Sequence, residues 1–576
     1  DKIPAYRAAY PDWWTDGFGS AARETAASRK THSDMTAVEG LLSMAVLKDK
    51  CLPQATHQQI EHIHESLLFY DEHTFGASES VSDPLCENSQ VQWGEKSAYA
   101  WEAVKRTQML YETSVGLLQG DLRRGKNPTL TIFNTLNWKR SEMLTVYIDF
   151  EVIPRNQFFE ITDFQGHSLK VQPIRYRREG CYYAIFAEDI PPMGYKTFEI
   201  VFKQPSTDTG TITINNASIE NHFYKLQLNP DKGTIQSLYD KELNCELVDS
   251  SSPWELGAFI YEKLGNRDQL AQYRLDDYNR TGLSECRIID SSNGPIYQRI
   301  LLQGKSPGTD EAFGVNLEIK LYHDTKRIEL EYAIKRLPET DPSGIYVAFP
   351  FQLPEGKLAF DVQGGTVISG KNQLEGTSTD WNTVQNFVSV QNNQAQIIIG
   401  SSLIPLYQLG DINLGKFQYQ KQYERPHVYS WVMNNYWNTN FKASQEGEFR
   451  WSYHLTSSVD PSNNLATKFG WSSRIPLYAR VMPTGTENHK PTEYSAFHFE
   501  KDNFLMTSCT PSKEEGYILL NIREIDGKRT NLRILNEDGQ TIPFTIVNAI
   551  EEKLENETSE HIFEGYQNKF IKIKRF

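Results

Sequence analysis

The sequence predicts a multidomain protein that starts with a three-helix bundle and continues as β domains only. Apolar residues recur at helical spacing up to about residue 122, and short alternating or β-branched runs separated by Asn, Pro and Gly follow from about residue 127. Because 576 residues exceed what one hydrophobic core supports, several domains are expected. We place these domains at residues 1–126, 127–205, 206–480 and 481–576.

Three amphipathic helices are expected in the first domain. Two of them place apolar residues at i, i+3, i+4 and i+7, with Pro53 between them, and a third has a longer apolar stripe. The three stripes are Val38, Leu41, Leu42 and Ala45; Ile60, Ile63, Leu67 and Tyr70; and Trp101, Val104, Tyr111, Val115 and Leu118. Helices of this length pack into a small bundle. The connection at 76–92 leaves residues 71–74 just after a helix end, where functional side chains are commonly displayed.

The rest of the chain is predicted to form β domains. Turn-punctuated runs first indicate a small β-sandwich, and the Pro, Ser, Thr, Asp and Gly of 204–213 indicate a linker. From 214 to 480, many strands of similar spacing without a strong helix pattern indicate a large double-sheet domain, and more strands follow. Clear runs are 130–134, 144–148, 195–200, 517–522 and 570–573.

Composition excludes several classes of protein and partner. A net charge of −15 argues against nucleic acid, whose phosphates require basic patches. No run of 18 apolar residues occurs, so we expect no membrane-spanning helix. Six scattered cysteines predict free, mostly buried thiols rather than a disulfide framework or a metal site. The sequence does not specify the cellular compartment, and it is compatible with a homo-oligomer.

Two short segments hold the candidate carbohydrate site. Trp13 and Trp14 lie between Asp12 and Asp16, and tryptophan faces beside acids suit the stacking and hydrogen bonding of a sugar. Further along, the acids and histidine of 71–73 suit a metal or a hydroxyl-rich ligand.

Four longer motifs point to a known family. They are DKGTIQSLYDK at 231–241, FNTLNW at 133–138, IYVAFPF at 345–351 and NNYWNTN at 434–440. Together they resemble glycoside hydrolase family 38, the α-mannosidases, over nearly the whole chain. In that family a metal-bearing β/α barrel precedes a three-helix middle domain and several β domains. The resemblance implies a β-sandwich, a large galactose-mutarotase-like supersandwich at 206–480 and a C-terminal β domain.

The same resemblance implies that the chain is the C-terminal part of a retaining α-mannosidase, without the barrel. The family's His-x-Asp zinc motif and aspartate nucleophile lie in the barrel. A retaining glycosidase needs two carboxyl groups roughly 5 Å apart, and with no credible second pair here we assign no catalytic residue. Because the chain begins at Asp1, we expect an incomplete site that is inactive alone. The implied partners are a mannose-containing oligosaccharide and the protein's own N-terminal barrel, and the implied cofactor is zinc.

Individual site residues follow from the resemblance, each with an alternative. Trp14 resembles the tryptophan that stacks on mannose, with Trp13 as a second contact; alternatively both are core residues at the junction with the barrel. Asp12 and Asp16 are weaker candidates, since Asp16-Gly17 is also a plain turn signal.

The segment after the second helix departs from the family's pattern. There, a histidine followed by an aspartate shortly before Thr-Gly completes the zinc shell and contacts the sugar. Here, either His73 is the metal ligand and Asp71 the sugar contact, or Asp71 keeps its family position and Tyr70 replaces the histidine, which leaves the shell short. His73 at a helix end could alternatively interact with the helix dipole. We expect the remaining histidines of this helix to be solvated: His57, His62 and His64.

A polar and aromatic block at 434–437 supplies two further substrate candidates, Asn435 and Trp437. An amide offers the donors and acceptors that a sugar hydroxyl needs, although buried asparagines also tie loops together. The alternative function is a non-enzymatic β-rich carbohydrate-binding or scaffold protein. A lyase or phosphorylase is less favoured, because three helices cannot form the (α/α) toroid that precedes the supersandwich in those enzymes.

Overall fold

The structure, a computed structural model, describes residues 3–6, 8–204, 217–272 and 274–576. It confirms the predicted fold class, since helices dominate up to residue 121 and antiparallel sheets follow. Apart from residue 204, the expected linker lies outside the described residues, as does the boundary between 205 and 206.

Three long helices form the N-terminal bundle, flanked by 3₁₀ helices at Trp14–Ala21 and Gln119–Asp121. Their bounds are α1, Ala22–Leu47; α2, Thr56–Asp71; and α3, Glu87–Leu118. The apolar stripes predicted for α1 and α2 are buried throughout. At the start of α3, the Cys86 sulfur accepts from the Ser89 N–H and so caps the helix.

The predicted stripe of α3 is wrong in part. Trp101 is 45% exposed and lies outside the bundle core. The buried face of α3 is formed instead by Ala100, Ala103 and Leu110. The two alanines are small and let α3 approach its neighbours closely.

A small sandwich follows the bundle. Its strands are β1, Thr129–Asn134; β2, Arg140–Asp149; β3, Phe158–Thr162; β4, Lys170–Tyr176; β5, Gly180–Ile190; and β6, Gly194–Lys203. One sheet has the order β2-β5-β4, and in the other β1 and β3 both pair with β6. Apolar residues of both sheets share one core.

Within the described residues, nineteen strands build the supersandwich. They are β7, Ser218–Glu220; β8, Tyr224–Asn229; β9, Thr234–Asp240; β10, Cys245–Glu246; β11, Ala258–Leu264; β12, Tyr278–Thr281; β13, Ser284–Asn293; β14, Tyr297–Lys305; β15, Val315–Tyr322; β16, Ile328–Arg336; β17, Ser343–Phe349; β18, Lys357–Val362; β19, Gly365–Ile368; β20, Asn382–Thr383; β21, Val388–Gln391; β22, Gln396–Gly400; β23, Leu406–Leu409; β24, Val428–Asn434; and β25, Gly447–Ser458. A 3₁₀ helix at Arg267–Gln272 lies between β11 and β12.

Two large sheets enclose the supersandwich core. One has nine strands in the order β13-β14-β15-β16-β25-β22-β21-β18-β19, and the other has six in the order β12-β11-β17-β24-β23-β20. In β15, Val315, Leu317, Ile319 and Leu321 are buried at a period of two residues, which places them all on the inner face. Burial of each such side chain stabilises the fold by about 1.5–3 kcal/mol.

The C-terminal part begins with a helix that the sequence did not predict, α4, Asn463–Arg474. Its polar sequence hides the periodicity, but the Ser462 hydroxyl accepts from the Leu465 N–H and caps it. Nine of the strands that follow are β26, Tyr478–Met482; β27, Glu493–Ser495; β28, His498–Phe499; β29, Phe504–Pro511; β30, Tyr517–Glu524; β31, Thr530–Leu532; β32, Ile534–Leu535; β33, Thr545–Val547; and β34, His561–Phe563. The last is β35, Asn568–Lys574.

One strand crosses the expected domain limit at residue 480. Strand β26 pairs with β1, with Ile132 opposite Ala479, and β27 pairs with β6. The chain therefore returns to the small sandwich before it forms the C-terminal sheets β29-β30-β35-β33, β28-β32 and β31-β34.

The cysteines are free, but the expectation that most are buried is wrong. Only Cys181 and Cys509 are buried, Cys51 is exposed, and Cys86, Cys245 and Cys286 are intermediate. Among the described residues, no helix is both long and apolar enough to span a membrane.

Candidate functional site

Three segments that are distant in sequence meet at one end of the bundle. They are the 3₁₀ helix Trp14–Ala21, the loop 72–80 after α2, and the loop 435–446 after β24, and we call the place where they meet the aromatic junction. The Phe75 N–H donates to Asn440 O at 3.0 Å, and the Asn440 N–H donates to Ala77 O at 3.1 Å. Both sequence segments predicted to hold the site thus lie together, with the polar and aromatic block 434–437 beside them.

Two glycines allow the 3₁₀ helix to lie against the 435–446 loop. A Cβ atom at Gly17 would fall 2.0 Å from a ring carbon of Phe441, and one at Gly19 would fall 2.3 Å from Nδ2 of Asn434. The Asn434 amide uses this space to donate to the carbonyl of Asp16 at 3.0 Å. The Asp16-Gly17 pair is therefore part of a tight contact between domains and not only a local turn.

Trp14 presents an accessible indole ring at the aromatic junction. It is 50% exposed, and its ring centroid lies 4.7 Å from that of His73 and 6.2 Å from that of Trp437. Trp437 is partly buried against Phe441, with 4.9 Å between ring centroids. A half-exposed indole held by two other rings is a rigid platform suited to the C–H face of a sugar.

Asp16 lies beneath this platform and is 6% exposed. Its Oδ1 accepts a hydrogen bond of 2.8 Å from the Trp437 indole N–H. Burial raises the pKa of Asp16 to about 8, although the Trp437 hydrogen bond opposes the shift. The carboxyl group orients Trp437, and its burial does not fit direct contact with a sugar. Asp12, by contrast, is exposed and accepts from the Trp14 N–H at 3.0 Å.

Trp13 points the other way from Trp14. Its ring packs edge-on against Trp381 at 5.6 Å between centroids and against Phe417 at 5.3 Å, within a core cluster of the supersandwich. This packing favours the alternative in which Trp13 is a core residue.

The Asn435 side chain holds neighbouring loops together through hydrogen bonds. Its Oδ1 accepts from the Ser343 N–H at 2.7 Å, and its Nδ2 donates to the carbonyls of Glu339, Asp341 and Ala443. Being only 4% exposed, the amide has no room for a ligand, which does not fit the predicted sugar contact.

The Asp71 side chain faces α1. Its Oδ1 accepts from the Ser28 hydroxyl at 3.0 Å, and its Oδ2 lies 2.8 Å from His32 Nε2. Neighbouring Tyr70 is fully buried and its hydroxyl pairs with Thr25 at 3.0 Å, so it cannot replace a metal-binding histidine.

Glu72 and His73 form a separate pair. His73 Nδ1 lies 2.7 Å from Glu72 Oε1, and Glu72 also accepts from the backbone N–H and the hydroxyl of Thr74. Burial alone would raise the pKa of Glu72, but the Thr74 hydrogen bonds and the charge of Lys96 outweigh it and lower the pKa. Burial lowers the pKa of Lys96, and the nearby charge of Glu72 opposes this shift.

These residues do not fit a zinc centre by themselves. Asp71 is engaged with Ser28 and His32 of α1, whereas His73 is paired with Glu72, and the three side chains do not converge. Among the described residues, no group of three or more His, Cys, Asp or Glu side chains could hold a metal ion. Catalytic zinc sites use three protein ligands.

A large cleft that sequence reasoning missed adjoins Asp71. It has a volume of about 1270 Å³ and lies between α1, residues 8–15 and the supersandwich. Arg29 and His32 on α1 line it, together with Asp12 and Asp71. Arg29 and His32 are three residues apart on α1, so the sequence places them on one face of the helix. That this face lines a cleft becomes clear only from the structure.

His64 on α2 is not simply solvated as expected, because its Nε2 lies 2.6 Å from Glu39 Oε1.

Comparisons with known proteins give two domain matches. Residues 219–417 match the model of the glycosyl hydrolases family 38 C-terminal domain, and residues 12–118 match that of the α-mannosidase middle domain. Curated protein sequences gave no match to the chain.

Two solved structures share the fold. An α-mannosidase from Enterococcus faecalis V583 matches with a TM-score of 0.73 and 13% identity, over 99% of this chain and 69% of that one. A protein in glycosyl hydrolase family 38 from Enterococcus faecalis matches with a TM-score of 0.73 and 14% identity, over 97% of this chain and 71% of that one.

Proposed function

Because this chain belongs to glycoside hydrolase family 38, we propose that it is the middle and C-terminal part of a retaining α-mannosidase that acts on mannose-containing oligosaccharides. The observation that carries the proposal is the aromatic junction, where Trp14 is 50% exposed and lies against His73 and Trp437. An exposed tryptophan held rigid by its neighbours binds a sugar ring at low entropic cost.

The aromatic junction serves substrate positioning in this proposal. Trp14 stacks on the sugar. Trp437 supports the Trp14 ring and is itself fixed by its hydrogen bond to Asp16. The His73 ring, half exposed beside Trp14, forms the second side of this platform. Asp71 lies at the cleft wall, where it can reach a second part of an oligosaccharide.

The bond-breaking groups of the proposed enzyme lie in an N-terminal barrel of the full-length protein. A retaining reaction needs a nucleophilic carboxylate and an acid roughly 5 Å apart. None of the described residues is assigned to either role. The proposal is supported by the length of the α-mannosidase that shares the fold, of which this chain covers 69%.

We propose zinc only for the full-length protein. His73 would be this chain's contribution to the metal, and the remaining ligands would come from the barrel. Bound zinc would supply charge to hold and polarise sugar hydroxyls. Since the described residues do not form a complete set, no step is assigned to the metal.

Turnover of an aryl α-mannoside by the full-length protein and by residues 1–576 alone tests the proposal. We expect hydrolysis with retention of anomeric configuration by the first and none above a matched blank by the second. In the full-length protein, Trp14→Ala should lower kcat/KM strongly, whereas Trp101→Ala, an exposed tryptophan on α3, should not. Hydrolysis by residues 1–576 that a chelator abolishes would overturn the assignment of roles.

The second candidate is a non-enzymatic carbohydrate-binding protein. It is favoured by the complete aromatic platform beside an incomplete ligand set. Mannoside binding by a full-length protein that shows no turnover would select it.

A further inference from the structure

Two arginines that line the large cleft both donate to Gln385. Arg29 belongs to α1 and Arg474 is the last residue of α4, and both line the cleft of about 1270 Å³. Gln385 lies between them: its carbonyl accepts from Arg29 Nη2 at 2.7 Å, and its side-chain Oε1 accepts from Arg474 Nη1 at 3.4 Å.

All hydrogen-bond partners of the two guanidinium groups are neutral. Besides Gln385, Arg474 donates to the Ser33 hydroxyl at 2.6 Å and to Asn386 Oδ1 at 3.2 Å. Arg29 Nε is buried and has no partner among the described residues. Within the same residues, neither arginine forms an ion pair with a carboxylate at 4.0 Å or less.

Asp71 acts electrostatically on Arg29 and Asp361 on Arg474, but the direct partners of both carboxylates are other groups. Asp71 is bound by Ser28 and His32. Asp361 accepts from Asn386 and lies 3.8 Å from a third arginine, Arg523. Burial and the charge of Arg474 lower the pKa of Arg29 to about 9, and the opposing effects of Tyr407 and Asp71 do not offset them.

We propose that Arg29 and Arg474 form an anion-binding subsite in the cleft. Its ligand is a small oxyanion, either free phosphate or sulfate, or the phosphate, sulfate or carboxylate group of an acidic carbohydrate. Guanidinium groups bind such oxygens through paired, charge-assisted hydrogen bonds, and partial burial of the site strengthens them. The volume of the cleft leaves room for a sugar attached to the anion. Anion binding is independent of the mannosidase proposal, and only the sugar part of the ligand rests on it.

Thermal unfolding of residues 1–576 in sodium sulfate and in sodium chloride of equal ionic strength tests the site. We expect 10 mM sulfate to raise Tm by about 2 °C or more relative to chloride, since a ligand that binds the folded state stabilises it. Equal Tm values in the two salts would overturn the proposal.

Gln385→Glu is the sharpest variant. It places a carboxylate of nearly the same shape against Arg474, to which the Gln385 side chain is already bonded, so it should raise Tm without sulfate and remove the sulfate effect. Arg29→Gln should also remove the effect, whereas Arg480→Gln, whose arginine already pairs with Glu112 at 2.9 Å, should keep it. Should Arg29→Gln fail to fold, Gln385→Glu still decides, and a full sulfate response in that variant would refute the subsite.

Calorimetric titration then separates the two sources of the anion. Binding of mannose 6-phosphate or mannuronate at least tenfold tighter than inorganic phosphate supports a subsite for an acidic sugar. Equal affinity of the sugar phosphate and inorganic phosphate, again lost in Gln385→Glu, supports a site for the free anion. Neither result depends on turnover.

Discussion

The indole N–H of Trp437 donates a hydrogen bond of 2.8 Å to Oδ1 of Asp16, joining the supersandwich to the 3₁₀ helix that precedes the bundle. The bond fixes the ring that supports Trp14, whose centroid lies 6.2 Å away. Because Asp16 is only 6% exposed, the contact also places an acid where water cannot stabilise its charge.

Asp16→Asn should change the pH dependence of stability. Burial raises the pKa of Asp16 to about 8 from a value of 3.8, so the folded state binds its proton more tightly than the unfolded state does. The resulting stability is present below about pH 4 and is lost as the pH rises towards 8, with a maximal slope of about 1.4 kcal/mol per pH unit. The asparagine variant should therefore gain Tm relative to the native protein between pH 5 and pH 8.5 in thermal scans.

Asp12→Asn is the matched control for that experiment, because Asp12 is the neighbouring exposed carboxylate. Its Tm difference from the native protein should stay the same across the range. A constant difference for Asp16→Asn as well would show that Asp16 is ionised in the folded protein at neutral pH.

The adjacent tryptophans should respond in opposite ways to alanine. Trp13→Ala removes a ring packed on Trp381 and Phe417 and should destabilise the protein by roughly 3 kcal/mol in denaturant unfolding. Trp14→Ala removes a half-exposed ring and should change stability much less. We expect mannosides to change the tryptophan fluorescence of the native protein and to leave that of Trp14→Ala unchanged. If Trp13→Ala lost mannoside binding but kept native stability, Trp13 would be the sugar-binding residue and not the core residue.

Asn435→Ala should loosen the loop after β24. The variant leaves the Ser343 N–H and three carbonyl groups without their partner, and we expect a loss of roughly 3 kcal/mol in stability. Faster proteolysis within 435–446, followed by mass spectrometry, would locate the change. A variant with native Tm and weakened sugar binding would instead restore the ligand role predicted from the sequence.

His73→Ala tests the metal proposal in the full-length protein. If His73 is a zinc ligand there, the variant should lower both zinc content and turnover sharply, because loss of one of three protein ligands is poorly tolerated. His57→Ala, which changes a residue in the first turn of α2, should leave zinc content and turnover unchanged. Metal analysis that finds native zinc and normal turnover in His73→Ala would pass the ligand role to Asp71, tested by Asp71→Asn.

The sequence by itself determined the fold class. Periodicity is a local property, so Val38, Leu41 and Leu42 indicated a helix, and the change of period near residue 127 indicated sheets. It also pointed to the segments that form the aromatic junction, since aromatic residues beside acids, amides and glycines are recognisable without a structure. Local signals failed where context prevails: Trp101 lies outside the core, and the polar α4 was not predicted.

Only the tertiary structure decided the packing and the hydrogen-bond partners of each candidate residue. Trp13 and Trp14 are neighbours with the same side chain, yet one packs on the supersandwich and the other stays half exposed. Asn435 holds its loop in place because Ser343 and Ala443 surround it, and Arg474 comes near Arg29 because it donates to Ser33 on α1. The physical reason is that burial, charge compensation and hydrogen-bond saturation depend on partners hundreds of positions away, which no local pattern encodes.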